Sequence, residues 1–168
     1  MKNVLVTGGT RGLGLATAER LAADGFHVIA TGRTMSPELE RVVSASSATG
    51  RVSYAELDLS ESDAIHDFIR RTTSLHGPLY GLVNNAALGH DGVLATMHES
   101  QIEELVRVNL VGSILVTKYA CRSMLMQREG RVVNIASIIA RTGFNGLSVY
   151  AATKSAFLGF SKSLAREV

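Results

Sequence analysis

Val4-Leu5-Val6-Thr7-Gly8-Gly9-Thr10-Arg11-Gly12-Leu13-Gly14 decides the fold of this chain. A short apolar run ends in a cluster of glycines, and helical spacing begins at once, which is the pattern of a strand turning tightly into a helix. Gly8, Gly12 and Gly14 follow the spacing G-x-x-x-G-x-G rather than G-x-G-x-x-G. The physics is the same in both. One glycine permits the tight turn, a second lets backbone approach a pyrophosphate, and a third lets the helix close in. Unpaired N–H groups and the positive end of the helix then face an anion. Gly8, Gly9, Thr10, Arg11, Gly12, Leu13 and Gly14 are therefore candidate cofactor-binding residues.

Outward from that turn, apolar runs and helical stretches alternate. A helix is predicted over 13–23, with Leu13, Ala16, Thr17 and Leu21 on one face. Strands are predicted at 27–30, 52–57, 79–83 and 131–136, and helices at 37–44, 60–75, 99–127 and 149–166. Ser36 reads as an N-cap with Pro37 in the first turn, Ser60 as the next cap, Gly77-Pro78 and Gly130 as stops, and Ser44 to Thr49 as a loop. This alternation predicts one α/β domain over 1–168, a doubly wound parallel sheet with helices on both faces and strand order 3-2-1-4-5.

Composition agrees with a globular chain: 168 residues, 46% hydrophobic and 19% charged. The net charge of +2 comes from scattered basic residues without a Lys/Arg stripe, which argues against nucleic acid. No apolar run is long enough to span a membrane, and no signal peptide precedes the first strand pattern. Cys121 is the single cysteine, so no internal disulfide forms, and it reads as a small buried apolar residue. A reducing cytoplasm is the expected setting. The five histidines show no metal-ligand spacing and read as solvated or loop residues; no metal site is expected.

The second strand decides which dinucleotide is expected. Folds that prefer NAD place an acid at the end of this strand to hold the ribose 2′-OH. Here Ala30-Thr31-Gly32-Arg33-Thr34 carries none, and Arg33 is placed to stack on adenine and pair with a 2′-phosphate, with Arg11 closing from the turn. The expected cofactor is NADP(H).

Further landmarks follow in order: Asp58-Leu59 after strand three, Asn84-Asn85-Ala86-Ala87 after strand four, Asn109 in the long helical region, Ser137 at the end of strand five, and Tyr150-Ala151-Ala152-Thr153-Lys154 at the start of the last helix. With the glycine turn, they resemble the short-chain dehydrogenase/reductase family across the whole chain. One departure is Ala87, where the family usually has glycine; its methyl is expected to tighten the cofactor wall without abolishing binding. The resemblance implies an NADP(H)-dependent oxidoreductase with Asn109, Ser137, Tyr150 and Lys154 as its catalytic set. Tyr150 would exchange a proton with the carbonyl oxygen, Ser137 would hydrogen-bond the same oxygen, Lys154 would assist Tyr150 and hold the nicotinamide ribose, and Asn109 would position a water for Lys154. Residue types suit these roles: Tyr150 and Lys154 stand at i and i+4 on one helix face, and an ammonium beside a phenol favours the phenolate. By the same resemblance Asp58 would contact the adenine amine beside Leu59, and Asn85, Ala86 and Ala87 would line the cofactor, while Asn84 would brace strand four.

Residues 84–97 and 157–168 are most similar to the 3-oxoacyl-[acyl-carrier-protein] reductase branch. This implies a 3-oxoacyl thioester substrate, delivered by an acidic acyl carrier protein for which Arg128 is a candidate contact. Reductases of other small ketones or sugars share most of these residues, and a non-catalytic NADP(H)-binding protein is the remaining alternative. Val168 falls inside a helical pattern with no stop signal, so the chain reads as C-terminally incomplete and strand five as an exposed edge. Leu110, Ile114, Leu115 and Tyr119, with Phe157, Phe160 and Leu164, form the apolar faces that the resemblance would pair into a homodimer or homotetramer.

Overall fold

The computed structural model describes residues 1–45 and 51–168. Its strands are β1 (Asn3–Val6), β2 (His27–Gly32), β3 (Arg51–Glu56), β4 (Leu79–Asn84) and β5 (Arg131–Asn134). Every pairing is parallel and the order is β3-β2-β1-β4-β5, as the alternating pattern predicts. The helices are α1 (Gly12–Ala23), α2 (Pro37–Ala45), α3 (Ala64–His76), α4 (Glu99–Val106), α5 (Ser113–Gln127), α6 (Ile139–Thr142) and α7 (Ser148–Glu167). A π-helical turn, Arg107–Gly112, joins α4 to α5 without a break in the chain's helical path.

Side chains alternate along each strand, so the sheet buries two faces. Leu5, Ile29, Leu79 and Leu82 pack with Ile65, Phe68 and Ile69 of α3 and Val116, Ala120 and Met124 of α5. Val4, Val6, Val28, Ala30, Val52 and Val83 pack on the other side with Leu15 and Ala18 of α1 and Leu39 of α2.

Several sequence expectations are corrected. In α1 the buried residues are Gly14, Leu15 and Ala18, whereas Leu13 is 62% exposed. The face is set by where the glycine turn aims the helix, which periodicity alone does not see. Helix α3 begins four residues later than Ser60, because Asp58 Oδ1 takes both the Ser60 N–H (2.8 Å) and its hydroxyl (2.7 Å) and holds it in a turn. Strand β5 ends at Asn134, so Ser137 lies in the loop beyond it. His27 is buried in β2 instead of solvated. Its Nδ1 is 2.9 Å from Asn3 Oδ1 and its Nε2 is 2.9 Å from Ser53 Oγ. Because the Asn3 oxygen only accepts, Nδ1 carries the proton and Nε2 accepts from Ser53. Burial, with His76 and Arg51 nearby, lowers the His27 pKa to about 4.

Other signals fall where expected. Ser36 Oγ accepts the Leu39 N–H at 3.1 Å and caps α2. Gly77, at φ 89°, ends α3 with its N–H on Thr73 O. Cys121 is buried. Of the loop expected at 44–49, Ser44 and Ala45 close α2 and the remainder lies outside the described residues.

β5 has no neighbour on its far side among the described residues, and Val133 is 49% exposed. A groove of about 670 Å³ runs beside it, walled by Cys121, Met124, Val132, Leu164 and Val168. Phe157, expected on an apolar assembly face, is instead buried in the core at 1% exposure.

Candidate active site

A cavity of about 500 Å³ opens at the C-terminal ends of β1, β2 and β4. It gathers Gly8, Thr10, Arg11, Gly12, Leu13 and Gly14 of the turn, Arg33 after β2, Asp58 and Leu59 after β3, and Asn85, Ala86 and Ala87 after β4. Parallel strands bring their C-terminal loops to one end of the sheet, so segments far apart in sequence meet there. Gly9, the remaining turn residue of the expected set, packs under it: a Cβ there would lie 2.9 Å from Ala30 Cβ.

The glycines are required by geometry. Gly8 and Gly12 adopt φ of 62° and 54°. A Cβ on Gly14 would stand 2.1 Å from Gly8 O and 2.5 Å from Asn85 Nδ2. Gly14 thus closes the turn on itself, a closer contact than the helix–sheet packing that the spacing suggests. The N-cap residue of α1, Arg11, is extended and offers no side-chain cap, and the first turn of α1 holds no acid. Its N–H groups therefore face the cavity with their donor capacity open, as an anion site needs. Arg11 and Arg33 are exposed, and neither forms an ion pair among the described residues.

The turn is braced from β4. Asn85 Nδ2 donates to Thr7 O (3.0 Å) and Gly8 O (3.1 Å), while the Asn85 and Ala86 N–H groups each donate to Thr7 Oγ1 at 3.1 Å. Thr7 is a site residue that motif reading passes over; its position at the strand end just before the first glycine is the available signal. Ser36 is another: it lines the cavity and donates its hydroxyl to Thr10 O, which joins α2 to the turn.

The residues expected to be catalytic, Asn109, Ser137, Tyr150 and Lys154, do not line this cavity. Lys154, on α7, is 2% exposed, and its Nζ donates to Ile135 O at 2.8 Å. Burial pushes its pKa below the ordinary lysine value. It sits 5.9 Å from the centre of the Tyr150 ring. Ser137 Oγ accepts the Ile139 N–H at 3.3 Å, which leaves its hydroxyl proton free to donate. The Ile135 carbonyl acts through backbone, and no residue type signals it. Asn109 is fully buried. Its side chain takes the Leu88 N–H (2.7 Å) and donates to Leu88 O (2.9 Å) and Thr153 Oγ1 (3.3 Å). The amide thus ties the loop after β4 to α7. Asn84 donates to Thr117 Oγ1 and Asn134 Oδ1, both at 2.8 Å, and braces β4 against α5 and β5.

Arg128 caps α5 in the left-handed conformation and lines the groove at the start of β5, while Ser137, Tyr150 and Lys154 follow that strand's end. Among the described residues no group of three or more His, Cys, Asp or Glu side chains is placed to hold a metal ion. No described helix is long and apolar enough to cross a membrane.

Comparison with known proteins gives one family. The family model described as short chain dehydrogenase matches residues 2–168. The 3-oxoacyl-[acyl-carrier-protein] reductase MabA of Mycobacterium tuberculosis (strain ATCC 25618 / H37Rv) is 37% identical over 167 residues, covering 99% of this chain and 63% of that protein. The 3-oxoacyl-[acyl-carrier-protein] reductase FabG of Aquifex aeolicus is 39% identical over 167 residues, 98% of this chain and 66% of that protein. Among solved structures, a metagenomic short-chain oxidoreductase in complex with NADP superposes with a TM-score of 0.92 at 32% identity, over 99% of this chain and 76% of that one. The chain thus spans less than two thirds of the length of the mycobacterial and Aquifex reductases.

Proposed function

The chain belongs to the short chain dehydrogenase family, and we propose that it binds NADP(H) and reduces the ketone of a 3-oxoacyl thioester to a 3-hydroxyacyl thioester. The observation that carries the reading is the pairing of Tyr150 with a buried Lys154 one helical turn away, beside a glycine-walled anion site.

The cavity fits a dinucleotide phosphate. Its uncapped helix end suits the pyrophosphate, and Arg33 and Arg11 suit a 2′-phosphate where no acid competes. Asp58 and Leu59 form the adenine side, and Asn85, Ala86 and Ala87 the opposite wall. When bound, the nicotinamide supplies the hydride. The chain's own residues handle the proton and the orientation. Tyr150 gives its phenolic proton to the carbonyl oxygen, and Ser137, whose lone pair is taken by Ile139, donates to the same oxygen. Lys154, held by Ile135 O, keeps its cation near the Tyr150 ring, where it favours the phenolate left after transfer, and it would hold the nicotinamide ribose when the cofactor is bound. Asn109 serves the catalytic set by fixing α7 against the loop after β4.

The thioester is supported by relatives bearing that activity in their names and by an apolar rim. Val93, Leu94, Ile138 and Phe144 are 54–72% exposed in the loops leading to α4 and α7. An acyl chain suits such a rim better than a sugar does. An acyl carrier protein is the proposed donor, with Arg128 as a contact. Pairing of copies through the exposed parts of α4, α5 and α7, to a homodimer or homotetramer, and a cytoplasmic setting complete the proposal.

The test is NADPH consumption with a 3-oxoacyl thioester, run beside Tyr150→Phe. Turnover that falls by about 10²–10⁴ in the variant establishes the reductase. NADPH binding without turnover on any thioester or small ketone moves the chain to a non-catalytic binding role. Equal rates on carrier-bound and carrier-free thioesters, unchanged by Arg128→Glu, remove the carrier contact.

A further inference from the structure

The loop between β4 and α4 has to serve two masters. Its first residues, Asn85 to Leu88, form one wall of the cavity, and its later part meets the loop that leads into the Tyr150 helix through Gly92 N–H to Gly146 O at 3.0 Å. Apart from the 3-10 turn at Leu94–Thr96 it has no regular structure. Its inner end is fixed by the Thr7 and Asn109 contacts given above. Between Leu88 and Gly92 the fixing contact is a side-chain pair: His90 Nε2 stands 2.7 Å from Glu104 Oε2 on α4.

We infer that His90 and Glu104 form a positioning pair that holds the cofactor wall in place and so sets the affinity for the dinucleotide. The inference rests on the NADP(H) reading of the cavity. Glu104 is itself part of the cavity lining. A carboxylate left loose there would repel phosphates, and a loop left loose would have to be ordered on binding at an entropic cost. The His90 N–H answers both problems: it takes up the carboxylate and pins the loop two residues beyond Leu88. The side chains are 30% and 46% exposed, so the pair adds little to overall stability and its removal leaves the fold intact. Its effect is local, on a segment whose order the cofactor needs.

A double-mutant cycle tests this. NADPH affinity is measured by fluorescence titration on the full chain, unaltered and as His90→Ala, Glu104→Ala and the double variant, with amide exchange over residues 86–92 recorded in each without cofactor. His90→Ala is expected to weaken NADPH about two- to fivefold and to speed exchange over 86–92. Glu104→Ala is expected to speed the same exchange, and the double variant to lose no more affinity than His90→Ala alone, since the two residues act as a unit. A KM for NADPH that rises while kcat at saturating NADPH stays within about twofold marks positioning rather than chemistry. Unchanged affinity and exchange in His90→Ala, or losses that simply add, overturn the pair while leaving the cofactor reading intact. Failure of the unaltered chain to bind NADPH overturns both.

Discussion

The two ends of the sheet treat their polar groups in opposite ways. At the N-terminal ends of β1, β2 and β3, every partner is internal. Asn3 Nδ2 donates to His76 O (2.7 Å) and Pro78 O (3.0 Å), its Oδ1 takes the His27 proton, and His27 Nε2 takes the Ser53 hydroxyl. At the C-terminal ends, capacity is left open among the described residues: the first N–H groups of α1 have no side-chain cap, Arg11 and Arg33 have no carboxylate, and the Ser137 hydroxyl proton has no internal acceptor. Buried polar groups that satisfy one another hold a fold together. Groups left open around a cavity are arranged for something that comes from outside. The closed end is therefore expected to govern stability and the open end binding.

Acid should break the closed end first. His27 is neutral in the fold, with a pKa of about 4, while an unfolded chain protonates it at about 6.5. Its stabilisation is complete above about pH 6.5 and is lost as pH falls from there toward 4, by which point the loss amounts to about 3 kcal/mol. Urea unfolding at pH 7 and pH 4.5 should show a steep loss in the unaltered chain and a shallower one in His27→Gln. Equal slopes would mean that His27 does not govern the closed end. A smaller effect, about 1–3 kcal/mol, is expected from Gly14→Ala, since its methyl must displace Gly8 O or Asn85. Here NADPH binding should suffer more than melting temperature; the reverse would erase the contrast between the ends. Arg33→Asp should leave melting unchanged and cut the preference for NADPH over NADH by about tenfold or more. Equal binding of both cofactors by the unaltered chain would remove Arg33 from the site. Ser36→Ala joins both properties, because one hydroxyl caps α2 and holds Thr10 O; a loss of about 1 kcal/mol in stability with a modest rise in NADPH Kd is expected.

Much of the open end was legible in the sequence. Tight turns need glycine wherever they occur, so Gly8, Gly12 and Gly14 announce their backbone, and Tyr150 and Lys154 announce a shared helix face by spacing alone. The closed end was not legible. Nothing around His27 separates a buried, doubly hydrogen-bonded imidazole from a solvated one, since its partners Asn3, Ser53 and His76 come from three other segments. The start of α3 was misread for a different, local reason: Ser60 is a good cap by type, and the Asp58 carboxylate two residues before it competes for its N–H and hydroxyl and closes a turn instead.

By itself the sequence determined the order of elements, the parallel sheet and the residue types at the phosphate turn and on α7, because these follow from local periodicity and backbone freedom. Only the tertiary structure decided that α1 buries Leu15 and exposes Leu13, that Asn109 is spent on Leu88 and Thr153, that a backbone carbonyl at Ile135 holds Lys154, and that His90 reaches Glu104. Each of those depends on how far apart in space two segments come to rest, and spacing along a chain does not encode that distance.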